Sequence, residues 1–276
     1  GETVAGGVFS MAAGGKGANQ ALAARRAGAK VRHVSAVGQD SFAEPALQLL
    51  AAAGVDLGGV RHAEAATGIA MIFVDAAGEN VIAVLPGANG TMTPADAETA
   101  LAGLGSDDLL LVQQEIPQAA TRRALELARA QGVTSLLNTA PFLADTAALA
   151  PLASIVVANE TEFALLSGRP VAELDAAMAQ WAARHDQILI VTLGGDGVKA
   201  FAGGRLLSIP ALPIKPVDTV GAGDTFVGYL AAGLDAGLDL ETALRRAAAA
   251  GSLACLKPGA QPAIPMAEEV DRAIEG

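Results

Sequence analysis

Short apolar runs rich in valine, isoleucine and leucine alternate along this chain with alanine- and arginine-rich segments of helical period. That alternation constrains the fold more than any other feature. "ANQALAARRAGAKVRHVSAVG" reads as a helix stopped by Gly28 and followed by a strand near Val31 to Val37. "LLLVQQE" reads as a buried strand, "QAATRRALELARAQG" as a helix closed by Gly132, and "VTSLLNTAP" and "ASIVVANE" as further strands. "ILIVTLGG" is one more, after a helix containing Trp181. Strand, helix and strand at this spacing predict an α/β fold whose parallel sheet is covered by helices on both faces.

Two stretches break the pattern. Residues 67–87, "TGIAMIFVDAAGENVIAVLPG", hold two apolar β segments joined by the turn "AAGEN" with no helix behind them, a hairpin and a candidate lid. "GVKAFAGGRLLSIPAL" reads as a second hairpin at the edge of the main sheet, and Ala247 to Leu256 as a helix of small residues. A chain of 276 residues can bury a sizeable core, so one main domain with a small appendage is expected.

Composition narrows the function classes. Apolar residues make up 52% of the chain but aromatics only 3%, which suits helices packed closely on small side chains. The net charge of −11, with basic residues clustered no further than the pairs Arg25-Arg26, Arg122-Arg123 and Arg245-Arg246, argues against a nucleic-acid partner. The single Cys255 allows no intrachain disulfide and reads as core filler in a reducing compartment. No window offers the roughly 18 uninterrupted apolar residues of a membrane span, and "GETVAGGVFS" has no basic n-region. A soluble, cytoplasmic protein is expected.

Several motifs fall where strands end. "GGKGANQA", residues 14–21, is a glycine-rich turn opening a helix; without Ser or Thr after Lys16 it is not a Walker A loop. It reads either as a plain helix start or as backbone approaching a ligand at Gly15 and Gly17, with Lys16 and Asn19 offering partners to hydroxyls. "NETE", residues 159–162, reads as a capping box between Asn159 and Glu162 or as a site where Glu162 orients a hydrated Mg²⁺. "TLGGDG", residues 192–197, is a turn between strands whose bare backbone would also admit a nucleotide. Glu115 and Asn138 are further polar residues at strand ends, where ligands bind in open α/β sheets. "GAGD", residues 221–224, puts two glycines and an acid at the mouth of an apolar helix. Asp224 there reads as an N-cap, or as a general base beside backbone N–H groups that stabilise a transferred anion.

"GGKGANQA", "GENVIAVLPGAN", "NETE", "TLGGDG" and "DTVGAGDTF" occur in the order and spacing of the ribokinase family of PfkB-type carbohydrate kinases, a resemblance covering nearly the whole chain. "GGKGAN" and the "GAQP" of "KPGAQPAIP" are similar to its ribokinase branch rather than to fructokinase or adenosine kinase relatives. The resemblance implies a three-layer α/β/α, mostly parallel sheet (residues 13–65 and 88–276) with a β-lid (1–12 and 66–87), and ATP-dependent phosphorylation of ribose at its 5-hydroxyl. Asp224 would be the base, with Gly221, Ala222 and Gly223 completing the anion hole. Gly15, Lys16, Gly17, Asn19 and Glu115 would bind the sugar. Asn159, Thr192, Leu193, Gly194, Gly195, Asp196 and Gly197 would form the ATP site together with Gly223, and Glu162 would lie near Mg²⁺. A monovalent cation, K⁺, would sit at Asp218 with carbonyls of Val220, Ala254, Lys257 and Gly259, Ala263 standing where a hydroxyl ligand is expected. The lid would cover the sugar and form a homodimer contact.

The same resemblance implies a first strand ahead of "GETV", bearing an Asn and an Asp that hold sugar hydroxyls; the expectation is that the chain as given lacks it. Two further readings therefore stand beside a ribose kinase. One is a kinase for deoxyribose or another pentose, and the other a non-catalytic sugar- or nucleotide-binding protein.

Overall fold

The computed structural model describes Gly7 and residues 10–74 and 80–275. The expected lid segment 1–12 and the "AAGEN" turn fall largely outside the described residues. In chain order the elements are α1 (Lys16–Arg26), β1 (Arg32–Val37), α2 (Ala43–Ala52), β2 (Asp56–His62), β3 (Ile69–Val74), β4 (Asn80–Leu85) and α3 (Pro94–Leu101). Next come β5 (Leu109–Val112), α4 (Gln118–Gln131), β6 (Thr134–Asn138), α5 (Thr146–Leu149), β7 (Ile155–Asn159), α6 (Glu160–Ser167), α7 (Leu174–His185) and β8 (Ile188–Thr192). The chain ends with β9 (Val198–Ala202), β10 (Arg205–Ile209), α8 (Ala222–Asp235), α9 (Leu240–Ala254) and α10 (Ala267–Glu275).

Six strands form the central sheet in the order β10-β9-β8-β7-β6-β5, with β5 to β8 parallel and the β9–β10 hairpin antiparallel at one edge, as the apolar runs imply. Because side chains alternate along a strand, continuous apolar runs feed two cores at once. Leu136, Val157 and Ile190 face α1, α8 and α9 through Leu22, Phe226, Leu230 and Leu244. Leu137, Val156, Leu189 and Val191 face the opposite helices through Leu125, Phe163, Met178 and Trp181. The result is three layers, helix over sheet over helix.

Two findings depart from the sequence reading. β2, in "DLGGVRH", was not anticipated, because paired glycines and charges interrupt its apolar pattern; it pairs in parallel with β1. β1 and β2 form a sheet of their own, and no ladder joins β1 to β5 among the described residues. The small-residue helix expected over Ala247 to Leu256 is the second half of α9, which starts at Leu240 behind an Asp239 cap. The hairpin of β3 and β4 stands as read, antiparallel and paired with no other described strand.

Candidate active site

The site begins where α1 and α8 touch. A Cβ on Gly228 would lie 2.5 Å from both Ala23 Cβ and the carbonyl oxygen of Gln20, so glycine lets the two helices meet backbone to backbone. That contact carries the first turns of α1 over the first turn of α8. Asn19 Nδ2 donates to Asp224 Oδ2 at 2.9 Å, and Gln20 Nε2 donates to Asp224 Oδ1 at 2.9 Å. Gln20 Nε2 also donates to Asn138 Oδ1 at the end of β6, at 3.1 Å, and its Oε1 accepts from Gln113 Nε2 at 2.6 Å. Asp224 is the third residue of α8, is buried, and makes no side-chain cap. Its carboxylate is held by side-chain amides from another helix. The N-cap reading of Asp224 is thereby corrected: the residue that caps α8 is Gly221, with left-handed φ of 77°.

In front of Asp224 lie backbone donors. The Ala222 amide donates to the Thr219 carbonyl at 3.2 Å, while those of Gly223 and Asp224 have no backbone acceptor among the described residues. A Cβ built on Gly223 would meet nothing within 4 Å, so the space before these amides is open. Free N–H groups, the positive end of the α8 dipole and open space together suit a phosphoryl group. A Cβ on Gly221 would sit 2.9 Å from Ala260 Cβ, so the segment around Ala260 buttresses this turn.

The glycine-rich turn reaches the same place. Gly15 precedes α1 with φ of 92°, and the Lys16 amide donates to Glu115 Oε2 at 2.7 Å. Gln113 and Glu115 both follow β5, and their side chains reach Gln20 and the Lys16 amide of α1. Burial raises the Glu115 carboxyl above the ordinary carboxylate range, the Lys16 amide opposing the rise and the charge of Asp224 adding to it. His33 approaches Gly17 from β1, and burial pushes its imidazole down to about 4, so it brings no charge at neutral pH. Asn19 Oδ1 is buried without a partner among the described residues. An orphaned acceptor beside a carboxylate, a second acid and exposed glycine backbone fits a polyhydroxylated ligand.

A second group lies along the ends of β7 and β8, where Asn159 and Thr192 are register partners. Asn159 Oδ1 accepts from the Glu162 amide at 2.8 Å, and Glu162 Oε2 accepts from the Asn159 amide at 3.1 Å and from Thr139 Oγ1 at 2.8 Å. The capping box read from "NETE" is present, and Glu162 Oε1 accepts none of these bonds. Leu193 leads into a single turn of 3₁₀ helix, Gly194–Asp196, and a Cβ on Gly194 or Gly195 would meet nothing within 4 Å. That bare, exposed backbone leaves room for a flat ligand. Gly197 has a separate reason to be glycine, since a Cβ there would lie 2.2 Å from the Ile209 carbonyl oxygen.

Asp218 ties two loops beside Gly221. Its Oδ1 accepts from the Val220 amide at 3.0 Å and its Oδ2 from the Gly259 amide at 2.8 Å, and these bonds hold its carboxyl below the usual range. The amides of Val217 and Asp218 donate to the Cys255 carbonyl. Asp218 therefore gathers Val220, Gly259 and the C-terminal end of α9 at Ala254, with Lys257 on the turn between. Ala263 is fully buried and offers no hydroxyl. Among the described residues no cluster of three or more His, Cys, Asp or Glu side chains could hold a metal.

Sequence reading had missed Gln20, Gln113 and Gly228. Gln20 and Gln113 lay inside quoted motifs, but nothing in the pattern signals that they meet.

A family model described as pfkB family carbohydrate kinase matches residues 1–267. Ribokinase of Bacillus subtilis strain 168 is 38% identical over 277 residues, spanning 99% of this chain and 92% of that protein. Deoxyribokinase of Salmonella typhi is 33% identical over 274 residues, 98% of this chain and 90% of that protein. The structure of Arabidopsis thaliana ribokinase complexed with ribose and ATP superposes with a TM-score of 0.88 at 28% identity, covering 100% of this chain and 91% of that one.

Proposed function

The chain belongs to the pfkB family of carbohydrate kinases, and we propose from this premise that it transfers the γ-phosphoryl group of ATP to the 5-hydroxyl of D-ribose. The observation that carries the reading is the buried Asp224 carboxylate, oriented by Asn19 and Gln20 beside the open N-terminus of α8. Asp224 accepts the proton of the sugar hydroxyl as its oxygen bonds to phosphorus and the bond to the ADP oxygen breaks. The amides of Gly223 and Asp224 stabilise the charge on the transferred group. Asn19, Glu115 and the backbone of Gly15, Lys16 and Gly17 hold the remaining hydroxyls. The nucleotide lies along Asn159, Thr192 and the turn from Leu193 to Gly197.

Mg²⁺ would be held chiefly by phosphates and water with Glu162 orienting the water shell, an arrangement that needs no cluster of protein carboxylates. It would supply charge neutralisation on the phosphates. For K⁺, the support is the Asp218 carboxylate, which gathers the Val220 and Gly259 amides beside the Cys255 carbonyl at the negative end of the α9 dipole, where a large, weakly hydrated ion would be favoured. The single Cys255 and the use of ATP suit a cytoplasmic enzyme, and no described helix is long and apolar enough to cross a membrane. The lid hairpin would close over the sugar and join two copies into a dimer.

The test is ribose-dependent ADP production by the purified chain, run beside deoxyribose, arabinose and xylose. Highest kcat/KM with ribose supports the reading, and no sugar-dependent ADP overturns it. Deoxyribose is the second reading, favoured by the Salmonella typhi relative; a higher kcat/KM with deoxyribose would select it.

A further inference from the structure

Gln20 is completely buried, yet it belongs to neither apolar core. Both ends of its side-chain amide are engaged: Nε2 donates to Asp224 Oδ1 and Asn138 Oδ1, and Oε1 accepts from Gln113 Nε2. These partners also fix which way the amide points. Turning it over would set its oxygen against two acceptor oxygens and its NH₂ against a donor. Asn138 is oriented in the same manner, because its Nδ2 donates to the Val157 carbonyl at 3.2 Å. A hydrogen-bonded line therefore runs from the backbone of β7, through Asn138 at the end of β6, to Gln20 and then to Asp224. Gln113 braces it from the end of β5 while lying 3.1 Å from the Cβ position of Gly17.

We propose that Gln20 is a positioning residue: it sets the direction of the Asp224 carboxylate using the central sheet as its frame, without touching substrate. The chemistry of the amide suits the task. A lysine or arginine would also orient a carboxylate, but as a fixed cation it would hold the charge that a general base needs to bring to a proton. A neutral amide donates one bond and leaves that charge in place. Asn19 alone leaves the carboxylate free to swing about a single bond, whereas two donors on its two oxygens hold its plane. The buried, hydrogen-bonded environment makes each such bond worth more than it would be in water.

The inference rests on Asp224 acting as the base, and its test separates the two. Gln20→Met in the full chain keeps length and volume but removes both donors. The variant is expected to lower kcat on the order of ten- to a hundred-fold, the scale of one lost bond to a charged group, with KM for ATP within about twofold of the parent. In an Asp224→Asn background the same change should cost no further rate, because the group it positions is gone. A multiplicative loss in that background, or a rise in KM with kcat kept, would show a purely structural role and overturn the proposal. A crystal structure of Gln20→Met should show the Asp224 carboxylate rotated from its place; an unmoved carboxylate overturns the proposal whether or not the chain phosphorylates ribose. If the parent gives no ribose-dependent ADP, the functional reading falls alone and that structure still decides. Should Gln20→Met fail to fold, Gln113→Leu frees the Gln20 amide to turn: a several-fold fall in kcat at unchanged KM for ATP supports the proposal, and an unchanged kcat overturns it.

Discussion

At the scale of single residues, the proposed mechanism turns on Asp224. Replacing it with Asn keeps the size and removes the basic oxygen, so Asp224→Asn should lower kcat by about 10²–10⁴ while KM for ATP stays near the parent value. Steady-state kinetics checks this, and a variant within threefold of the parent would remove Asp224 from the mechanism. His33 makes a separate prediction. Its imidazole titrates at about 4 in the folded chain against about 6.5 when exposed, so between those values the unfolded chain binds more protons. Stability is therefore full above about pH 6.5 and declines as pH falls toward 4. Denaturation midpoints taken from pH 7 to pH 5 should fall less steeply in His33→Phe than in the parent. Equal slopes would mean that His33 is not held neutral. What sequence conveys at this scale depends on distance along the chain. "GAGD" singled out Asp224 as a candidate because its glycines and its acid are neighbours, and "NETE" announced its capping box. The Gln20–Asp224 bond spans 204 positions, and no local rule reports it.

At the scale of elements, the site is the product of one helix contact and one loop contact. Gly228 permits the first. A methyl group there would press on Ala23 and the Gln20 carbonyl, so Gly228→Ala should destabilise the fold by about 1–3 kcal/mol, the usual cost of overfilling a packed interface. It should also lower kcat, because α1 carries Asn19 and Gln20. Urea unfolding with parallel kinetics checks both, and a stability unchanged within about 0.5 kcal/mol would show that the helices part without strain. Asp218 governs the second contact. Asp218→Ala removes the acceptor for the Val220 and Gly259 amides, and the rate gain on replacing a bulky organic cation with K⁺ at equal ionic strength should vanish. If the parent itself shows no such gain, the K⁺ assignment fails. Elements whose apolar period is unbroken, β5 through β8, were legible, whereas β2 was hidden because glycine and charge inside it interrupt that period. Gly228 lies inside a helical run, where a glycine looks like a defect until its neighbour is seen.

For the whole molecule, the β3–β4 hairpin poses the question that the central layers do not. The sheet spends its apolar side chains on two cores, but among the described residues β3 and β4 pair only with each other and leave large side chains in water on both faces. The pairs Phe73–Val81 and Met71–Ala83 put Phe73 and Val81 on one face at 64% and 69% exposure. The pair Ala70–Val84 puts Ile72 and Val84 on the other face at 54% and 62%. An isolated two-stranded hairpin is marginal in water, and apolar surface on both sides is a liability unless something covers each. In the proposed function one face would close over the glycine-rich turn at residues 14–17. The opposite face then needs a partner of like character, and a second copy of the same hairpin supplies one with closed twofold symmetry. We therefore expect the parent chain to sediment as a dimer at micromolar concentration. Val81→Lys and Val84→Lys each place a charge on one face, so the substitution on the dimer face should yield monomers and the other should chiefly raise KM for ribose. Sedimentation velocity paired with ribose kinetics separates the faces, and a parent that stays monomeric across the concentration range would mean that the hairpin is not a dimer contact.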